Sequence, residues 1–189
     1  MRDRGSSLQP RKGRFQGPAP LAGLVPMPML LLSGASALSV LALALPPQLV
    51  GAAGAPFAWS LLLASATVIA SVVPLGAARS QADFQVTDLA APRAMFERLP
   101  DWGKRASWAH QNSFEAFTLH APAALLCLLA GVDAPLAIAA AWLHPLLRLL
   151  YIPAYVTNVP PLRALCWALG LTCTGLLYLE GLKAVLAAG

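Results

Sequence analysis

The sequence predicts an all-α polytopic membrane protein, a four-helix bundle with an extra hydrophobic segment at its N-terminus. Three observations lead there. The 189 residues are 58% hydrophobic and only 11% charged, whereas a soluble domain carries about 25% charged residues. The mean hydropathy is +0.65. Beyond residue 20, most charges fall between apolar runs, several of them long enough to cross a bilayer.

The elements follow in order. Residues 1–20, MRDRGSSLQPRKGRFQGPAP, are basic and rich in Gly and Pro, a composition that predicts a disordered tail. Residues 21–45 are apolar and uncharged and end at Pro46-Pro47. They read either as an additional transmembrane helix or as the core of an export signal. The second apolar segment spans 57–78; about 20 residues at 1.5 Å each cross a hydrocarbon core of ~30 Å. Pro74 stands near its far end, where a kink is tolerable. Residues 79–107 break the apolar pattern, and within them 94–99 predicts a short interfacial helix after Pro92, with Trp102 and Trp108 at headgroup level. The third segment runs from Trp108 to Ala130, the fourth from Ala134 to Val156 and the fifth from Leu162 to Leu186. The last two connections are short, which predicts that these three helices are neighbours.

The loop 79–105 holds five Lys/Arg and the turn 157–163 holds Arg163, whereas 46–56 holds no charge and 131–133 only Asp133. The positive-inside rule puts the first two connections in the cytoplasm. With five helices the basic tail is cytoplasmic as well, and removal of the first leaves the other four oriented as before. The net charge of +5 comes mostly from residues 1–20, with five Lys/Arg against one Asp, so it gives no ground for nucleic-acid binding. Cys127, Cys166 and Cys173 lie in apolar stretches without CxxC spacing, and they read as small buried hydrophobes rather than metal ligands or redox centres.

Two polar stripes stand out against this background. In RASWAHQNSFEAF, Trp108, Asn112 and Glu115 share a helical face, and Arg105 extends it one turn toward water. His110 lies on a neighbouring face. A carboxylate about two turns into a bilayer must face a bundle interior or a wet cavity and find a partner there. Two readings stay open: a polar ligand pocket, or structural glue between helices. In HPLLRLLYIPAYVTNVPPLR, Arg148, Tyr151 and Tyr155 again share a face, His144 extends it one turn, and Arg163 follows the turn. Arginine suits bidentate capture of carboxylates, and Glu115 can receive an ammonium, so a pocket built from both stripes fits a small zwitterionic or polyanionic ligand. Taken alone, the tyrosines also fit an interfacial aromatic belt. His120 faces an apolar run and reads as a helix-contact histidine.

The stretch RASWAHQNSFEAF, a short hairpin and then RLLYIPAYVTNVPPLRALCWALG resemble the MAPEG family, membrane-associated proteins in eicosanoid and glutathione metabolism. The resemblance covers residues 57–187 and is nearest to divergent bacterial members. It implies a four-helix protomer in the bacterial inner membrane, assembled as a homotrimer, with glutathione as cofactor between subunits near the cytoplasmic leaflet. It also implies that Asn112, Glu115, Arg148, Tyr151 and Tyr155 contact the tripeptide, and that Arg163 stabilises its thiolate. A cation near sulfur lowers the thiol pKa, and the thiolate then attacks a lipophilic electrophile or reduces a hydroperoxide, as a transferase or peroxidase would. The alternative is a non-catalytic protein of the same fold whose polar residues join helices or hold another ligand. The sequence departs from the family pattern at three points. Trp108 stands where characterised members place a carboxylate-binding Arg, which leaves Arg105, one turn further out, as the cation expected to bind the glutathione carboxylate. The spacing from Tyr155 to Arg163 differs by one residue, and the first family helix ends in LGAARSQADF rather than a dense basic cluster.

Overall fold

A computed structural model describes residues 54–189, and the basic tail and the 21–45 segment lie outside these residues. The described chain is all-helical. It comprises α1 (Ala55–Ala70), α2 (Val72–Ser80), α3 (Asp101–Leu129), α4 (Pro135–Val156) and α5 (Pro160–Ala188), with two 3₁₀ segments, Val86–Leu89 and Pro92–Arg98, before α3. Helices α1 and α2 form one broken rod, so the architecture is the expected four-helix bundle. The rods Ala55–Ser80, Pro135–Val156 and Pro160–Ala188 are each long and apolar enough to cross a membrane. Helix α3 has 29 residues, about 43 Å at 1.5 Å per residue, but its first half is polar.

Two boundaries differ from expectation. Helix α3 begins at Asp101 rather than Trp108. Asp101 supplies an acidic first turn, and the Lys, Arg and Ala that follow favour helix although they break the apolar pattern. The first rod breaks at Ser71, one turn before Pro74. Pro74 removes the donor that the Ala70 carbonyl would have used. The Ser71 hydroxyl donates to the Val68 carbonyl at 2.6 Å, so the His110 Nδ1 at 2.8 Å is left to donate to Ser71. The interfacial helix predicted after Pro92 is the second 3₁₀ segment.

Both hairpins close with left-handed residues. Gly131 has φ 64°, and Val132 N–H donates to the Cys127 carbonyl at 3.0 Å. Asn158 has φ 59°, and Val159 N–H donates to Ala154 at 2.9 Å. Each satisfies the orphan carbonyls of the preceding helix and turns the chain sharply. The connections therefore stay short, and α3, α4 and α5 pack as neighbours with α1 against α3 and α4.

Small residues let the helices approach. Ala139, Ala140 and Ala141 of α4 are fully buried. A Cβ on Gly181 of α5 would meet Leu126 Cγ of α3 at 2.8 Å, so only glycine fits that crossing. Phe57, Leu177 and all three cysteines fill the main core, and the cysteines are unpaired. A smaller cluster of Leu75, Ala78, Met95, Leu99 and Ala106 packs the loop end of the bundle.

The middle of the bundle is not apolar. Pro145 cannot donate to the Ala141 carbonyl four residues back, and the Ser60 hydroxyl of α1 donates there instead, at 2.6 Å. With its proton so used, Ser60 accepts from His120 Nε2 of α3 at 2.8 Å. That leaves a lone pair on His120 Nδ1, which accepts from the Thr174 hydroxyl of α5 at 3.3 Å. His120 also stacks on His144 with centroids 3.5 Å apart and planes 2° apart. His120 is thus a helix-contact histidine, but its contacts are polar groups from three other helices rather than an apolar run.

Candidate functional site

The two polar stripes meet one turn nearer the loop end. Arg148 of α4 is 2% exposed, and its Nη2 donates to Asn112 Oδ1 of α3 at 3.0 Å. Its guanidinium lies over the Tyr151 ring at 4.2 Å, and Tyr151 meets Tyr155 edge-on at 5.4 Å. The Arg163 guanidinium of α5 covers Tyr155 at 4.5 Å. Asn112, Arg148, Tyr151, Tyr155 and Arg163 therefore form one unbroken series of contacts across three helices. Spacings of three and four residues align Arg148, Tyr151 and Tyr155 on one face, and the Asn158 turn folds Arg163 back over them.

Glu115 stands at the edge of this series, joined to it only weakly through Asn112. Its carboxylate accepts from Gln111 Nε2 at 3.0 Å and more weakly from Asn112 Nδ2 at 3.5 Å, and the residue is exposed. It borders three cavities. The first, about 210 Å³, lies between α3 and α5 and reaches Arg148, His144 and Thr174. The second, about 200 Å³, lies under Trp108, Gln111 and Tyr155. The third is a groove of about 890 Å³ between α3, α2 and the second 3₁₀ segment, and it carries Arg79 and Arg93 beside Phe96 and Trp108. A carboxylate at the junction of three cavities, with guanidiniums on two of them, can hold a ligand bearing both signs of charge.

Arg105 is placed elsewhere. Its Nε donates to the carbonyl of Val156, the last residue of α4, at 2.9 Å. It caps that helix end and lines none of these three cavities. Trp108 leans on Phe96 at 5.7 Å and borders the second and third cavities. At the loop, Asp88 accepts from Gln85 N–H at 2.9 Å and pairs with Arg98. The Gln85 N–H, outweighing desolvation and assisted by Arg98, holds this carboxyl below its ordinary value.

Sequence reasoning did not single out Gln111, Trp167, Gly170 or Thr174, all of which line these cavities. Gly170 and Thr174 stand four residues apart in the middle of α5, a small–polar pair on one face. That spacing was the signal available.

Comparison with known families finds that the MAPEG family model matches residues 49–183. No curated protein and no solved structure matches the chain.

Proposed function

Since this chain belongs to the MAPEG family, an integral membrane protein by its family and its apolar rods, we propose that it binds glutathione and activates its thiol against a lipophilic electrophile or hydroperoxide. What supports this reading is the contact series Asn112–Arg148–Tyr151–Tyr155–Arg163 beside an uncovered Glu115. Arginines pair with the two carboxylates of the tripeptide and Glu115 with its ammonium. Arg163 sits at the helix start nearest the cytoplasm, where a guanidinium would favour thiolate over thiol.

The same reading makes the protein a homotrimer in the inner membrane with its polar site toward the cytoplasm. Gln111, Glu115 and Thr118 form an exposed polar stripe along α3. An ionised carboxylate facing hydrocarbon is costly, and a second copy of the chain over that stripe removes the cost.

Calorimetric titration of glutathione into the detergent-solubilised protein tests the proposal. Saturable binding at millimolar ligand or below, weakened in Glu115→Ala, is expected; no binding heat in the unsubstituted protein overturns it. Conjugation of a hydrophobic electrophile should fall about 100-fold in Arg163→Ala, the scale of losing one charge-stabilising group. The Arg148–Asn112 hydrogen bond between α4 and α3 favours a second reading, in which the polar set serves helix association. That reading predicts that Asn112→Ala loosens the bundle in protein that takes up no glutathione.

A further inference from the structure

The connection between α2 and α3 carries its polarity inside out. In its first 3₁₀ segment the charged residue points inward: Asp88 is 8% exposed and is held by the Gln85 N–H and by Arg98. The large apolar residues around it point outward, with Phe84, Val86 and Leu89 50%, 79% and 68% exposed. A turn that met only water would cost least with the opposite arrangement. This turn also satisfies much of its own backbone. Asp88, Ala90 and Ala91 donate their N–H groups to the carbonyls of Gln85, Thr87 and Asp88 at 2.9, 3.2 and 3.2 Å, as a segment entering an apolar medium requires.

The height of the turn along the bundle follows from the rod before it. The rod Ala55–Ser80 has 26 residues. That is about 39 Å, against ~30 Å of hydrocarbon and about 40–45 Å with both headgroup layers. With Ala55 at one hydrocarbon boundary, Ser80 lies among the headgroups of the opposite leaflet, and Phe84 follows four residues later. Met95 and Leu99 pack with Leu75 and Ala78, so the connection doubles back beside the end of the rod instead of rising away from it. The outer face of the rod is itself apolar, with Ile69 and Val73 exposed, and Phe84, Val86 and Leu89 continue that lipid-facing surface. Arg93 flanks the turn, is exposed and has no acidic partner among the described residues. Its guanidinium suits a phosphate.

We propose that residues 84–89 form an interfacial wedge whose partner is the phospholipid leaflet at this end of the bundle. Phe84, Val86 and Leu89 enter the boundary between headgroups and acyl chains, and Arg93 takes a lipid phosphate. The Asp88–Arg98 pair holds the turn in the shape that presents them. Pro92, Arg93 and Phe96 of the same connection line the groove beside α2 and α3, so contact with the leaflet steadies that wall. The wedge requires neither glutathione nor a particular oligomer, and it stands apart from the thiol reading.

The test places a nitroxide on Val86→Cys or Leu89→Cys in the full chain, reconstituted into phosphatidylcholine vesicles. Its collisions are read with oxygen, which concentrates in lipid, and with a water-soluble nickel chelate. Both side chains are exposed, so the label displaces no packing. Cys127, Cys166 and Cys173 are buried, and the unsubstituted protein carried through labelling gives their background. A label on Asp101→Cys, at the exposed start of α3, is the water reference. Both wedge labels should be open to oxygen and shielded from nickel relative to Asp101. Adding Val86→Asp to the Leu89 label should raise its nickel access. Nickel access at Val86 equal to that at Asp101 overturns the proposal, because the turn then lies in water. Shielding from both reagents overturns it as well, because protein, such as a second copy of the chain, then covers the turn. Nickel access at Leu89 unmoved by Val86→Asp overturns the wedge.

Discussion

Glu115 and His120 stand five residues apart on α3, about 7.5 Å along its axis, yet the polar groups around them serve opposite ends. Around His120 the groups are already partnered: Ser60, His120 and Thr174 are buried and each hydrogen bond fixes the next. Around Glu115 they are open: the carboxylate borders three cavities, and its amide partners come from its own helix. A closed chain of donors and acceptors joins helices, because breaking it strands groups where no water can replace them. An open set costs little to disturb and is free to meet a ligand. Between Glu115 and His120, burial more than residue type separates the open group from the brace.

The sharpest way to break this contrast is His120→Leu. It removes two interhelical hydrogen bonds and a stacked ring, and should cost about 2–3 kcal/mol of stability, read as a lower denaturation midpoint in detergent, with glutathione affinity changed less than about twofold. A large loss of affinity at unchanged stability would reverse the assignment of the two regions. Ser60→Ala strands the Ala141 carbonyl and should cost about 1–2 kcal/mol. Pro145→Ala restores a backbone donor to that carbonyl, so the double variant should recover part of the loss, a coupling of about 0.5–1 kcal/mol in a double-mutant cycle.

On the open side, Glu115→Gln should weaken glutathione about tenfold while the denaturation midpoint moves by about 0.5 kcal/mol or less, as expected of an exposed position. The smallest effect belongs to Asp88, outside both regions. Its carboxyl is held below the ordinary aspartate value, so its contribution is complete above the unfolded-state value and is lost as pH falls through the lowered folded-state value. Proteolysis of the 81–100 connection should therefore accelerate below about pH 4, and Asp88→Asn should be equally susceptible at neutral pH.

The periodicity of the sequence was enough to set the four-helix membrane bundle, the order of its rods and the two polar stripes. Arg148, Tyr151 and Tyr155 share a face because 3.6 residues make a turn, whatever surrounds them. The start of α3 was not legible, because residues 101–107 are polar and hydropathy marks a bilayer rather than a helix. Nor was the role of Arg105, since no local pattern reveals that the carbonyl of Val156, 51 residues away, will lie within its reach. Only the tertiary structure decided that His120, flanked by alanines and leucines, would find a serine, a threonine and a second imidazole, and that Pro145 would leave a carbonyl for Ser60 to satisfy. Helical spacing is local and is written in the sequence, whereas hydrogen-bond partners on different helices are chosen by how the helices pack.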